Sequence, residues 1–106
     1  MKVNILSDEE MTNIGFITLK SKNQWFFFKT LIDTIEFWLR INKDDPNDFT
    51  IDIFDDDFGQ PYDYQHMLSK NPNFKYALKV KDEVDKTMQY LMDNNIITDY
   101  KIGDYI

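Results

Sequence analysis

The chain has no cysteine, a single histidine, and only three glycines and three prolines in 106 residues. Without cysteine there is no disulfide, no thiolate metal site and no cysteine nucleophile. Gly15, Gly59 and Gly103 stand far apart, so no glycine-rich loop can cradle a phosphate. His66 has no second histidine with which to share a metal, and Ser7, Ser21 and Ser69 sit in no nucleophile-elbow setting. Long apolar runs are missing as well. The richest, Trp25 to Ile41, is interrupted by Lys29, Asp33, Glu36 and Arg40, which rules out a membrane-spanning helix. Val3 to Leu6 contains Asn4 and runs straight into Ser7-Asp8-Glu9-Glu10, too short and too soon acidic for a signal-peptide core. A cytoplasmic protein is the expectation.

What is present fits one domain spanning residues 1–106. Apolar residues reach 42% and aromatics 16%, enough to build a core despite 29% charged residues. The bias towards Asn, Lys, Asp, Ile, Phe and Tyr matches AT-rich coding DNA, as in low-GC bacteria and their phages, an association rather than a physical argument.

The net charge of −7 is unevenly placed. Residues 44–63 hold eight aspartates and no Lys or Arg, which leaves 11 of the 19 acids against all 12 bases elsewhere. The same window carries Phe49, Phe54, Phe58, Tyr62 and Tyr64. Aspartate favours turns and caps because its short carboxylate accepts from nearby backbone N–H groups. Two solvated loops around one strand are therefore one reading of the window. The other is a single outward-facing anionic ridge, whose self-repulsion a cationic partner would relieve.

Along the chain, Met1 to Leu6 reads as a strand. Ser7 and Glu10 have capping-box spacing for a short helix from Asp8 to Asn13. Gly15 to Lys20 reads as a second strand. Ser21 with Gln24 repeats the capping-box spacing and opens an expected long helix, Lys22 to Ile41. On it Lys29, Asp33, Glu36 and Arg40 form one polar stripe, with Phe26 and Phe37 on its flank. Asn42 to Asp48 is an expected loop, and Phe49 to Phe54 a half-buried strand by its alternation. Pro61 suits the start of a short helix, Tyr62 to Ser69. Phe74 to Asp93 is a second long helix, with Ala77, Val80, Val84, Met88 and Leu91 at helical spacing and an Asp82–Lys86 pair. Ile96 to Ile106 closes as a strand. The fold class expected is α+β: a small, mostly antiparallel sheet packed against two long helices and one short helix.

Catalytic chemistry finds little support, so no enzyme, cofactor or metal is expected. An EF-hand fails: with Gly59 at loop position six, only Asp56 falls on a ligand position. A divalent-metal nuclease is the remote alternative, using the acid-x-Lys tripeptide Asp99-Tyr100-Lys101 with Asp52 or Asp55. It would need a basic groove, and the excess charge has the wrong sign. Direct nucleic-acid binding meets the same objection, because Asp82, Glu83 and Asp85 interleave Lys75, Lys79, Lys81 and Lys86.

The expectation is an interaction protein that occupies a basic, nucleic-acid-binding surface of a partner protein. In physical character this is the type of immunity proteins and of phage-encoded nucleic-acid mimics that block restriction or CRISPR effectors. Asp52, Asp55, Asp56, Asp57 and Asp63 are the expected contacts, with Phe58 and Tyr62 as desolvated anchors. The alternative is a self-associating structural or regulatory subunit, a homodimer joined through Phe26 and Phe37. No membrane and no direct nucleic-acid partner is expected.

Overall fold

In the computed structural model, which describes residues 1–103, the chain runs β1 (Lys2–Val3), α1 (Asp8–Ile14), β2 (Ile17–Leu19), a single 3-10 turn, β3 (Gln24–Ile32), β4 (Ile35–Asn42), β5 (Asp45–Asp55), β6 (Gln60–Pro61), α2 (Tyr64–Lys70), α3 (Lys75–Asp93) and β7 (Ile97–Thr98). Strands β2 to β6 form an antiparallel meander in chain order, and β1 pairs with β7 separately. The class is α+β, with a mostly antiparallel sheet. No helix among the described residues is long and apolar enough to cross a membrane.

The expected helix over 22–41 is instead the hairpin β3–β4, closed by Asp33-Thr34 with Asp33 at φ 51°. The cause lies in the side chains. Trp25 and Phe27, then Ile35, Phe37, Leu39 and Ile41, alternate with period two and are buried. Phe26, Phe28 and Trp38 fall between them on the other face. With aromatics on both faces, the alternation looks like one wide apolar arc when read at helical period. Aromatic and β-branched residues favour the pleated surface. The helical i,i+4 pairs Lys29/Asp33 and Glu36/Arg40 therefore do not form: Lys29 stands across from Phe37, and Arg40 across from Phe26 and Thr50.

The expected loop over 42–48 shrinks to a turn at Lys43-Asp44, and β5 starts at Asp45. The two terminal strands shrink to two residues each, and residues 104–106 of the second lie outside the described residues. The helical readings at α1, α2 and α3 hold within two residues. Ser7 Oγ accepts from the Glu10 amide (3.2 Å) and donates to its carboxylate (2.9 Å). Gly15 then ends α1 at φ 123°, its amide donating back to the Met11 and Thr12 carbonyls.

All of the tightly packed interior lies on one side of the sheet. Helix α3 presses Ala77, Val80, Val84, Met88 and Leu91 onto it, and Phe37, Leu39 and Ile41 meet them fully buried. Tyr90 stacks on Phe27 at 6.2 Å and donates to the Ile14 carbonyl, tying α1 to α3. On the exposed side of α3, the expected Asp82–Lys86 ion pair forms at 3.2 Å.

Candidate interaction surface on the open sheet face

Residues opposite one another on antiparallel strands share a face. The register therefore gives the outer face directly. Ile17, Phe26, Arg40 and Thr50 form one row; Phe28, Trp38 and Asp52 the next; Thr30, Glu36, Phe54 and Pro61 the third. The helices lie on the other side. Phe28 is 51% exposed and Ile17 50%, high values for apolar side chains.

The aromatic side chains of this face touch one another. Phe26 and Phe28 stack at 5.7 Å, Phe26 meets Trp38 edge-on at 5.9 Å, and Trp38 stacks on Phe54 at 4.4 Å. The result is an apolar band across three strands. A contiguous patch of this kind marks an interaction site more often than scattered apolar residues do. The Arg40 guanidinium lies over the Phe26 and Trp38 rings, 5.7 and 5.1 Å from their centroids, and 3.8 Å from the Asp52 carboxylate. Trp38 donates its indole N–H to Glu36 (3.2 Å). Phe26, Phe28, Glu36, Trp38 and Asp56 line an open cleft of about 280 Å³.

The single anionic ridge expected from the sequence does not exist. Asp44 and Asp45 sit at one end of the β4–β5 hairpin, and Asp55, Asp56 and Asp57 at the other. The ends pair with Asn42 and Ile35, the two ends of β4, about 23 Å apart at a rise of about 3.3 Å per residue. Most of these carboxylates serve local structure. Asp44 accepts from Asn23 (2.8 Å), Asp48 from Asn42 (3.1 Å), and Asp45 from the Asn47 amide (3.0 Å). Asp63 caps α2 by accepting from the His66 amide (3.0 Å).

Of the seven expected contact residues, Asp52 and Asp56 border the open face. Asp52 lies on it, and Asp56, Asp57 and Phe58 occupy the turn at its end, with Phe58 73% exposed. Asp55 does not join them: it is only 8% exposed and accepts from the Thr34 hydroxyl (3.0 Å) and the Asp57 amide (3.1 Å), holding the turn together. Asp63 is spent on its cap. Tyr62 packs edge-on against Tyr76 on the helix side, where burial and then the Asp55 charge raise its pKa. The paired dimer anchors also separate, because Phe26 faces outward while Phe37 has no exposed surface. Sequence reading put Trp38, Phe28 and Arg40 on a helix and so missed them as a site. Their period-two spacing was the available signal.

Asp99 follows the end of β7 at φ 54° rather than lying on a strand. Among the described residues no three His, Cys, Asp or Glu side chains gather as a metal-holding group. His66 is exposed on α2.

Fold and surface together define an α+β domain with helices on one face of an antiparallel sheet and an aromatic band on the other. No protein-family model and no curated protein matches the chain. Among solved structures, the chain is similar to a DUF1831 family protein from Lactobacillus plantarum, with a TM-score of 0.69 at 12% identity, over 92% of this chain and 83% of that one. At that identity the likeness concerns the fold alone.

Proposed function

We propose that this protein is a non-catalytic binding protein that covers a basic surface of a partner protein with the open face of its sheet. The observation that carries the reading is the uncovered aromatic band bordered by Glu36, Asp52 and Asp56. Large rigid aromatics supply desolvated anchors, and surrounding carboxylates select and steer a cationic partner. This moves the contact surface away from the run of aspartates itself and keeps Asp52 and Asp56 in its acidic rim, with Asp57 and Phe58 exposed in the adjoining turn. Inhibition of a nucleic-acid-processing enzyme in the cytoplasm is the proposed consequence, since such an enzyme offers a standing positive field.

The test is capture from the source-cell extract at low and high ionic strength, comparing wild type with Phe28→Ser. The expected result is a basic protein retained by wild type, weakened by salt, and lost on Phe28→Ser while the circular dichroism spectrum is unchanged. Equal retention by both forms would refute the reading.

A second reading has one specific observation behind it: Ile17 and Phe28, both half exposed, stand at the β2–β3 side of the same band. Two copies could cover it face to face, through Phe26 but not Phe37. Sedimentation equilibrium would then show a dimer that survives high salt and dissociates on Phe28→Glu.

A further inference from the structure

We infer that the cleft between Phe28, Trp38, Glu36 and Asp56 is a receptor for one arginine side chain of the partner. The inference rests on the binding reading above and narrows it to a single anchoring group. Its basis is the pairing of ring faces with carboxylates in one cavity. Phe26, Phe28 and Trp38 supply the apolar wall, while Glu36 and Asp56 supply the negative charge. An aromatic ring attracts a cation through its quadrupole, and nearby carboxylates deepen the same potential. A neutral ligand would leave both carboxylates without a counter-charge, and an anion would be repelled.

The chain shows on its own rings what they accept. Arg40 already lies over Phe26 and Trp38. Its charge is balanced by Asp52 at 3.8 Å, so Glu36 and Asp56 are left to face an incoming cation. The cleft is held open in a defined shape. Trp38 is fixed between the Phe54 stack at 4.4 Å and its hydrogen bond to Glu36. The Asp56 amide donates to the Thr34 carbonyl (3.0 Å), which anchors that residue beside the start of β4. A guanidinium fits this frame better than an ammonium. Its plane can lie on a ring while its fork of N–H donors reaches carboxylates at the rim.

The experiment is an NMR titration of the full chain with three peptides. One is a Gly/Ser decapeptide with a single central arginine, one its citrulline twin, and one an alternating Lys/Gly decapeptide. The readouts are the Trp38 indole N–H, assigned by its loss in Trp38→Phe, and the Thr50 and Asp52 amides. The arginine peptide should shift the indole saturably, with affinity about tenfold above that of citrulline, a difference of about 1.4 kcal/mol. Glu36→Gln combined with Asp56→Asn should abolish that preference. Equal shifts by arginine and citrulline, or a preference unchanged in the double variant, would overturn the receptor. If the Lys/Gly peptide alone moves Thr50 and Asp52, the arginine site fails and the wider basic-partner reading stands. If no peptide moves either readout, both fall together.

Discussion

Phe37 and Trp38, adjacent on β4, look in opposite directions. Phe37 has no exposed surface and meets Phe27 edge-on at 6.2 Å beneath α3, whereas Trp38 stacks on Phe54 at 4.4 Å on the open side of the sheet. The chain thus spends half its hairpin aromatics on the core and sets the other half out towards solvent.

That division predicts unequal mutational costs. Phe37→Ala should destabilise the protein by about 3–5 kcal/mol, the range for emptying a packed aromatic site. Phe28→Ser, at a half-exposed position, should cost at most about 1 kcal/mol. Urea unfolding of the two variants checks the contrast. Equal costs would mean that both faces are covered.

Asp55 and its two neighbours should separate in the same way. Asp55→Ala leaves the Thr34 hydroxyl and the Asp57 amide without the carboxylate they now share, and should cost about 1–3 kcal/mol. Asp56→Asn and Asp57→Asn, both exposed, should change stability by about 0.5 kcal/mol or less. The two exposed substitutions are therefore clean probes of partner binding, and Asp55→Ala is not.

Tyr76 carries a pH signature. Its phenol donates to Asp33 (2.9 Å), and burial, then this hydrogen bond and the nearby negative charges, push its pKa from 10.0 up to about 12. The folded state keeps the proton where the unfolded chain gives it up. The contribution is thus fully present below pH 10 and is lost as pH rises through about 12. Tyrosinate absorbance should show a late-ionising component that Tyr76→Phe removes. The stability gap between wild type and Tyr76→Phe should close across that window.

Gly15→Ala should be costly for two reasons that act together. The residue sits at φ 123°, and an added Cβ would stand 3.4 Å from the Phe27 ring. A loss of about 1–3 kcal/mol is expected for an L-residue forced into this backbone region, measured by the shift in denaturation midpoint. Gly59→Ala also sits at positive φ but has open space around it, and should cost less.

Much of the local structure was legible in the sequence. Ser7 with Glu10 announced α1, the stripe from Ala77 to Leu91 announced the buried side of α3, and Phe49, Ile51 and Ile53 announced β5. Each of these signals is short in range: a cap, a turn of helix, or an alternation across a few residues. The hairpin β3–β4 was not legible because Phe26, Phe28 and Trp38 match their buried neighbours in chemistry, which hides the period of two. The candidate surface went with it, since Trp38 and Arg40 become partners only when β4 lies flat beside β3. The aspartate window misled for a related reason. Density of charge along a chain says nothing of separation in space: Asp45 and Asp55 pair with opposite ends of β4, about 23 Å apart at about 3.3 Å per residue.

The sequence by itself determined the α+β class, the Ser7 cap of α1, the long amphipathic helix and the excess of aspartate over bases in one window. Only the tertiary structure decided which aromatic residues are core and which are surface. That choice depends on which side of the sheet α3 packs against, and neighbouring aromatics on a strand differ in nothing but the direction in which the pleat points them.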